Sequence, residues 1–194
     1  MLQTLGIIAG ILALIAPIPY IRDIIKGTTK PNRATWFIWT ALLAIALAGQ
    51  LASGGTYSTL LTAGDLLGTF IVLMLAVKFG VGGWQTIDKL ALAGAALGLI
   101  LWRLFNSPAL ALAMIILVDY SGGLPTILKA HRDPDSETIS SYWLVGIGSA
   151  LAVISVGKLD IVLMVYPFFL AILMGLIVGA MLTSPTRRRV VKHA

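Results

Sequence analysis

Charged residues are scarce in this 194-residue chain: they make up 11% of it, whereas 58% of the residues are hydrophobic. A soluble domain averages about 25% charged residues, so too few charges are present here to cover a surface in water. The solvent of this fold is therefore expected to be mostly lipid. Cysteine is absent, which excludes disulfides, thiolate metal sites and a cysteine nucleophile. The two histidines, His131 and His193, lie in charged segments outside the apolar runs.

Motifs of enzyme active sites are missing as well. The sequence contains no H-E-x-x-H, no P-loop and no G-x-S-x-G, and no histidine lies beside a nucleophile. Asp65 and Asp119 lack the G-x-G-D surroundings expected of an intramembrane aspartyl protease. We expect neither an enzyme nor a bound cofactor or metal.

Apolar runs long enough to cross a bilayer, which takes about 20 residues of helix, occur seven times. Only helices and closed barrels satisfy their backbone groups inside lipid, and these runs are too long and too uniformly apolar for barrel strands. The sequence predicts an all-α membrane protein. The predicted helices cover residues 4–26, 32–53, 57–79, 86–105, 107–130, 137–157 and 160–183.

The distribution of Lys and Arg predicts the orientation of these helices. Twelve of the 14 lie near or beyond the C-terminal ends of the first, third and fifth helices or in the C-terminal tail, and only Arg103 and Lys158 lie on the other side. The positive-inside rule then places the N-terminus outside and the C-terminus in the cytoplasm, in the cell membrane. The basic tail, 186–194, is explained by this rule. Binding of acidic lipid or nucleic acid is the alternative, and we expect no nucleic-acid partner.

A duplication is visible at an offset of 106 residues, between residues 19–39 and 125–145. Both stretches run from an apolar helix through a proline and a charged loop into an apolar helix with an aromatic residue near its start. This order indicates an internal repeat in a membrane protein. The matches are Pro19 with Pro125, Ile21 with Ile127, Lys26 with Arg132, Thr35 with Ser141 and Trp36 with Tyr142.

The repeat divides the seven helices into three, one and three. A single helix between the repeats gives both the same orientation, so we expect parallel three-helix bundles at 1–82 and 107–185. The linker helix, 83–106, carries Gly94 and Gly98 in a G-x-x-x-G pattern that favours close helix contact. That face is predicted to serve the linking role, and contact between copies in a homo-oligomer is the alternative.

This plan resembles the PQ-loop superfamily, which includes the SWEET sugar transporters, their half-sized bacterial relatives and lysosomal amino-acid exporters. The resemblance rests on two prolines before basic loops, the three-one-three helix plan and the external N-terminus. The Pro-Gln positions read Pro19-Tyr20 and Pro125-Thr126 here. The W-x-x-W of Trp36 and Trp39 is similar to that of the PnuC vitamin transporters. The resemblance implies a SWEET-like transporter of a sugar, an amino acid or a vitamin.

Two carboxyl groups lie inside the apolar helices, Asp65 in the third and Asp119 in the fifth. A charge at the bilayer centre is costly, so such residues face the interior of the bundle. Ser58, Thr62, Asp65 and Thr69 are spaced to share one helix face. A polar stripe of this kind lines a cavity, although hydrogen bonding between helices is the alternative.

Proton coupling is predicted from the same two acids. No lysine or arginine lies in the middle of any span, and burial without a cation favours the neutral form of a carboxyl group. Asp65 and Asp119 are therefore expected to rest protonated and to release a proton when the cavity opens to water, as intramembrane aspartates do in the lysosomal exporters of the superfamily. A neutral hydrogen-bond donor to a carbonyl is the alternative role for each.

Prolines near the cytoplasmic ends of the first and fifth helices predict hinges. Pro19, with Pro17 beside it, and Pro125, after two glycines, remove backbone donors and make these helices easy to bend. One hinge in each bundle would let the two halves rock. A static kink is the alternative interpretation.

Aromatic residues near the starts of the second and sixth helices are candidate ligand contacts. Trp36 and Trp39 face the same way in the second helix, and Tyr142 and Trp143 occupy the matching region of the sixth. Aromatic faces stack on sugars, nucleobases or cations, whereas an interfacial aromatic belt is the alternative for Trp36 and Tyr142.

These observations predict a transporter of a small polar solute that works by alternating access and is coupled to protons. The solute-binding residues are expected to be Trp36, Trp39, Thr62, Asp65, Thr69, Asp119 and Trp143. The alternative is a membrane receptor or scaffold of the same fold that does not transport.

Overall fold

The computed structural model describes residues 1–27, 31, 33–81, 86–134 and 138–185. The described residues form eight α-helices and no strand, which confirms the all-α prediction. A 3₁₀ turn, Tyr57–Thr59, precedes the fourth helix. The helices are α1 (Leu2–Ile15), α2 (Ile18–Ile25), α3 (Arg33–Ala52), α4 (Leu60–Phe79), α5 (Thr86–Phe105), α6 (Pro108–Arg132), α7 (Ile139–Ser155) and α8 (Ile161–Thr183).

Helices α3 to α8 begin and end within about two residues of the ranges that hydrophobicity predicts, if the 3₁₀ turn is counted with α4. The basic tail, 186–194, and the loop residue Asn32 lie outside the described residues. Four described segments are long and apolar enough to cross a membrane: Leu2–Ile25, Arg33–Ala52, Tyr57–Phe79 and Ile161–Thr183. Three shorter apolar segments accompany them, at Leu92–Phe105, Pro108–Tyr120 and Ile139–Ser155. The fold is compatible with an integral membrane protein.

The first predicted helix is broken in the structure. α1 ends at Ile15 and α2 begins at Ile18, with Pro17 between them at φ −76° and ψ −12°. Pro17 and Pro19 have no backbone N–H, so the ladder of the first helix loses two donors within three residues. α6, in contrast, continues without interruption through Pro125. The two proline sites therefore differ in local structure.

α1 and α4 lie side by side, run in the same direction and touch through glycines. A Cβ added to Gly10 would lie 2.9 Å from the Cβ of Leu60. One added to Gly64 would lie 2.8 Å from the carbonyl oxygen of Gly10, and the Pro17 ring occupies the space beside Gly68. These distances leave no room for a larger side chain, so glycine sets the separation of the two helices.

Contacts between two other helix pairs show the directions in which those helices run. α6 and α8 are parallel: Gly123 packs on Leu173, and Nδ1 of His131 lies 3.2 Å from the carbonyl oxygen of Ala180. α7 runs antiparallel to α1, because Gly148 packs near Ala9 whereas Ser141 contacts Ala16.

Six helices form a closed circuit of contacts. In order around the circuit they are α1, α4, α3, α6, α8 and α7, and α7 packs against α1 again. α5 packs outside this circuit, against α6 and α3. Gly94 and Gly98 face α6, where they meet Val118, Met114 and Ala111. The G-x-x-x-G face is thus used within the chain.

Candidate functional site

The polar stripe of α4 faces the inside of the helix circuit. Thr62 is fully buried and Asp65 and Thr69 are half-buried. The opposite side of the helix carries exposed apolar residues, at Leu67, Phe70, Ile71, Met74 and Val77. Ser58 is buried too, but it lies in the 3₁₀ turn and not in α4. The helical period therefore places three of the four stripe residues on α4 and turns them inward.

Asp65 on α4 and Asp119 on α6 lie close enough for their carboxyl groups to interact electrostatically. Tyr166, on α8, interacts electrostatically with both carboxyl groups. Protein surrounds all three side chains, and Tyr166 is only 2% exposed. Asp65 and Asp119 are half-buried as whole residues.

Tyr166 is the one member of this cluster absent from the predicted site. The sequence offers a weak signal for it, a polar aromatic residue followed by Pro167 inside an otherwise apolar helix. Which residue of α8 meets Asp119 depends on the register between α8 and α6. That register is set by contacts such as Gly123 on Leu173, which a single sequence does not reveal.

Several polar atoms without a hydrogen bond lie near one end of the helix circuit. This end contains the turn at Gly55 and is called the Gly55 end. In the described part of the chain, Oγ1 of Thr62 and both amide atoms of Gln50 are buried and have no hydrogen-bond partner. Gln50 is 1% exposed, and its backbone oxygen accepts a bond from the Gly55 amide at 2.9 Å. Oγ of Ser149, on α7, is buried and unpartnered as well. Leaving such groups unpaired costs about 1–3 kcal/mol each.

These residues lie at different depths along their helices. With a rise of about 1.5 Å per residue, Asp65 lies roughly 8 Å and Asp119 roughly 16 Å from the starts of their helices. Both helices begin at the Gly55 end. For α6 this follows because its first residue, Pro108, lies 3.8 Å from a Cβ added to Gly49, near the end of α3. Asp119 is therefore near the middle of the fold, with Asp65 and Thr62 between it and the Gly55 end.

The aromatic candidates separate into two groups. Trp36 stacks against Tyr20 of α2, with ring centroids 5.1 Å apart, and meets Trp39 edge-on at 5.1 Å. Trp39 is half-buried and packs on the same core cluster as Tyr166. The Thr40 hydroxyl donates to the Trp36 carbonyl oxygen at 2.7 Å. The tryptophan pair is thus part of the interior packing of α2 and α3.

Trp143 lies elsewhere. It is 50% exposed and lines a groove of about 250 Å³ between α7 and α8, together with Tyr142, Gly146 and Met174. Neither Asp65 nor Asp119 lines this groove. The structure therefore separates Trp143 from the carboxyl pair, because its position on α7 turns it outward.

Two other predicted residues, Thr69 and Pro19, lie on α4 and α2. Thr69 donates its hydroxyl proton to its own helix, to the carbonyl oxygens of Asp65 at 2.9 Å and Leu66 at 3.0 Å. Pro19 is half-buried in α2, beyond the break in the first helix. The described residues contain no group of three or more His, Asp or Glu side chains placed to hold a metal ion. The arrangement therefore has the chemistry of paired acids with hydroxyl neighbours, suited to binding a proton or a polar solute.

No protein-family model matches the chain, and neither the comparison with curated proteins nor that with solved structures gives a match.

Proposed function

We propose that the protein is a transmembrane transporter of a small polar solute, coupled to protons and working by alternating access. The observation that carries the proposal is the Asp65–Asp119–Tyr166 cluster, in which three different helices bring titratable side chains within electrostatic reach of one another. An ionisable group inside a membrane is costly, and it is found where a solute or a proton passes. Here three helices contribute one titratable side chain each, at a depth between the two ends of the fold.

The proposal includes the finer architecture: seven membrane spans in two parallel three-helix bundles, joined by α5 as in the PQ-loop superfamily. The internal contacts support it. At the 106-residue offset, Pro17 corresponds to Gly123. Gly68 corresponds to Met174, which follows Leu173 in the sequence. Pro17 packs on Gly68 between α1 and α4, and Gly123 packs on Leu173 between α6 and α8. Corresponding helix pairs are thus in contact at positions that match to within one residue, which supports a duplicated bundle.

Contacts between the proposed bundles follow the same symmetry. α1 packs on α7 and α3 packs on α6, so the first helix of each bundle meets the second helix of the other. A pseudo-two-fold axis along the membrane normal relates these two contacts. Rocking of one bundle against the other about this axis would open the carboxyl pair to each side in turn.

Solute flux tests the proposal. Purified protein is reconstituted into liposomes, and uptake of a labelled panel of sugars, amino acids and nucleosides is measured against protein-free liposomes. We expect at least one solute to enter, and an inward proton gradient to change its accumulation. Binding of a solute without flux in either direction would instead favour a receptor or scaffold of the same fold and would contradict the transporter.

A further inference from the structure

Four exposed cations lie at the end of the helix circuit opposite the Gly55 end. Arg22 lies in the last turn of α2, and Lys26 is the C-cap of that helix. Lys78 lies in the last turn of α4, and Arg33 is the first residue of α3. Within the described part of the chain none of the four forms an ion pair, and Lys78 lies 5.1 Å from the centroid of the Phe79 ring. These four cations are called the basic patch.

Backbone hydrogen bonds join two of the helices that carry the patch. The N–H of Arg33 donates to the carbonyl oxygen of Val81 at 3.1 Å, and the N–H of Val81 donates to the carbonyl oxygen of Pro31 at 2.9 Å. Val81 follows Lys78 by three residues. The start of α3, with Arg33, is therefore held beside the end of α4, with Lys78.

The third helix, α2, packs on α4. The Pro17 ring occupies the space beside Gly68, and this contact relates the two helices in depth. Lys26 follows Pro17 by nine residues and Lys78 follows Gly68 by ten, or about 14 and 15 Å along an α-helix. Lys26 and Lys78 therefore lie at about the same depth, and Arg22 lies about one turn closer to the core.

The internal repeat does not preserve the charge of this end. Residues 19–39 contain four Lys and Arg and one Asp, whereas residues 125–145 contain two Lys and Arg and three Asp and Glu. The net charges are +3 and −1. At the 106-residue offset the basic patch corresponds to Leu128, Arg132, Ile139 and Ser184. The second repeat thus has the same order of helices without a cluster of cations at these positions, so the fold does not require one.

Apolar side chains beside the cations indicate the class of partner. Ile25, next to Lys26, is 66% exposed, and Val77 and Phe79, on either side of Lys78, are 63% and 42% exposed. A small anion or an acidic peptide in water would leave these apolar side chains uncovered. A phospholipid fits both parts of the surface, because its phosphate contacts the cations while its acyl chains cover the apolar side chains.

We propose that the basic patch of Arg22, Lys26, Arg33 and Lys78 binds the headgroup of an anionic phospholipid. The phosphate contacts cations from α2, α3 and α4, and so joins the short α2, beyond the break in the first helix, to two longer helices. Lipid binding therefore stabilises the fold at this end. The inference concerns a surface outside the Asp65–Asp119–Tyr166 cluster and does not depend on transport.

Thermal unfolding of the purified protein in detergent tests the inference. The probes are phosphatidylglycerol and phosphatidylcholine with identical acyl chains, so that only the headgroup charge differs. We expect phosphatidylglycerol to raise the melting temperature with a half-saturating concentration at least tenfold below that of phosphatidylcholine. The difference between the lipids should shrink in high salt, because exposed charges are screened. Inorganic phosphate and a poly-glutamate peptide are added in separate arms and should have no effect.

A pair of double variants locates the binding. Arg33→Gln with Lys78→Gln should raise the half-saturating concentration of phosphatidylglycerol at least tenfold. Arg103→Gln with Lys158→Gln is the matched control, since it removes two cations from the Gly55 end. Arg103 is exposed there, and Lys158 lies 3.2 Å from the carboxyl of Asp160, which caps α8. The control should leave the half-saturating concentration within about twofold of that of the unaltered protein.

Equal effects of the two lipids on the unaltered protein would overturn the inference, and this comparison holds even where a variant does not fold. Equal lipid binding by the two folded double variants would overturn it as well. A rise in melting temperature with inorganic phosphate or poly-glutamate, and none with phosphatidylglycerol, would identify a different partner and contradict it. None of these results involves solute flux, so the inference and the transport proposal fail separately.

Discussion

The hydroxyl group of Ser141, on α7, donates a hydrogen bond of 2.8 Å to the carbonyl oxygen of Ala16, at the break between α1 and α2. The two residues are 125 positions apart in sequence. Ala16 is the C-cap of α1, where the last carbonyls of a helix need donors from outside it. Ser141 provides one from the other proposed bundle, and so ties the break in the first helix to α7.

Ser141→Ala should destabilise the protein by about 1 kcal/mol, since a buried carbonyl loses its donor. For a chain of this length that corresponds to a fall of about 2–4 °C in the melting temperature, measured in detergent. Ser140→Ala is the control, because the Ser140 side chain is exposed. Equal melting temperatures for the two variants would show that the bond contributes nothing to stability.

Gly64→Ala should also destabilise the protein, by about 1–3 kcal/mol. The added Cβ would meet the Gly10 carbonyl oxygen at 2.8 Å and the Ala13 Cβ at 2.9 Å, and backbone atoms give way only if α1 and α4 separate. Gly175→Ala is the matched control in α8, since nothing lies within 4 Å of its added Cβ. Thermal unfolding measures both. A Gly64→Ala protein as stable as Gly175→Ala would mean that the two helices are not in close contact.

Pro19→Ala and Pro125→Ala should slow transport and leave the affinity for solute within about tenfold, or 1.4 kcal/mol. Both positions lie beyond the carboxyl pair from the Gly55 end, so they are not expected to touch the solute. We expect the larger effect for Pro19, because the first helix is broken beside it whereas α6 continues through Pro125. Rates equal to that of the unaltered protein in both variants would identify the prolines as static kinks.

A tag placed after Ala194 should be cytoplasmic, and a tag placed before Met1 should be external. The physical reason is the excess of Lys and Arg on one side of the predicted helices. Labelling of intact cells with a reagent that does not cross the membrane reads out both tags. Both tags on the same side would contradict seven spans and the parallel repeat.

The apolar runs were sufficient to place α3 to α8, because an apolar run of membrane length has few alternative structures. Hydrophobic periodicity also predicted the inward face of α4, since Thr62, Asp65 and Thr69 follow the helical period among apolar residues. Interactions between helices could not be read in this way. The interaction of Tyr166 with Asp119 and the hydrogen bond of Ser141 to Ala16 depend on the register between helices far apart in sequence.

Two further features could be recognised only from the folded structure. Trp143 looks equivalent to an inward aromatic residue in sequence, yet its angular position on α7 turns it to the outer groove. The prolines of the two repeats align, but only the first repeat has two prolines within three residues, which is enough to break a helix, whereas α6 tolerates one.

Accumulation and exchange of solute by Asp65→Asn, measured side by side in liposomes, test the account most directly. Asparagine keeps the shape and the hydrogen bonding of the aspartic acid but releases no proton. We predict that Asp65→Asn still exchanges internal for external solute and fails to concentrate it under a pH gradient, whereas Asp160→Asn does both. If Asp65→Asn concentrates and exchanges solute as the unaltered protein does, Asp65 has no part in coupling and the proposed site is wrong.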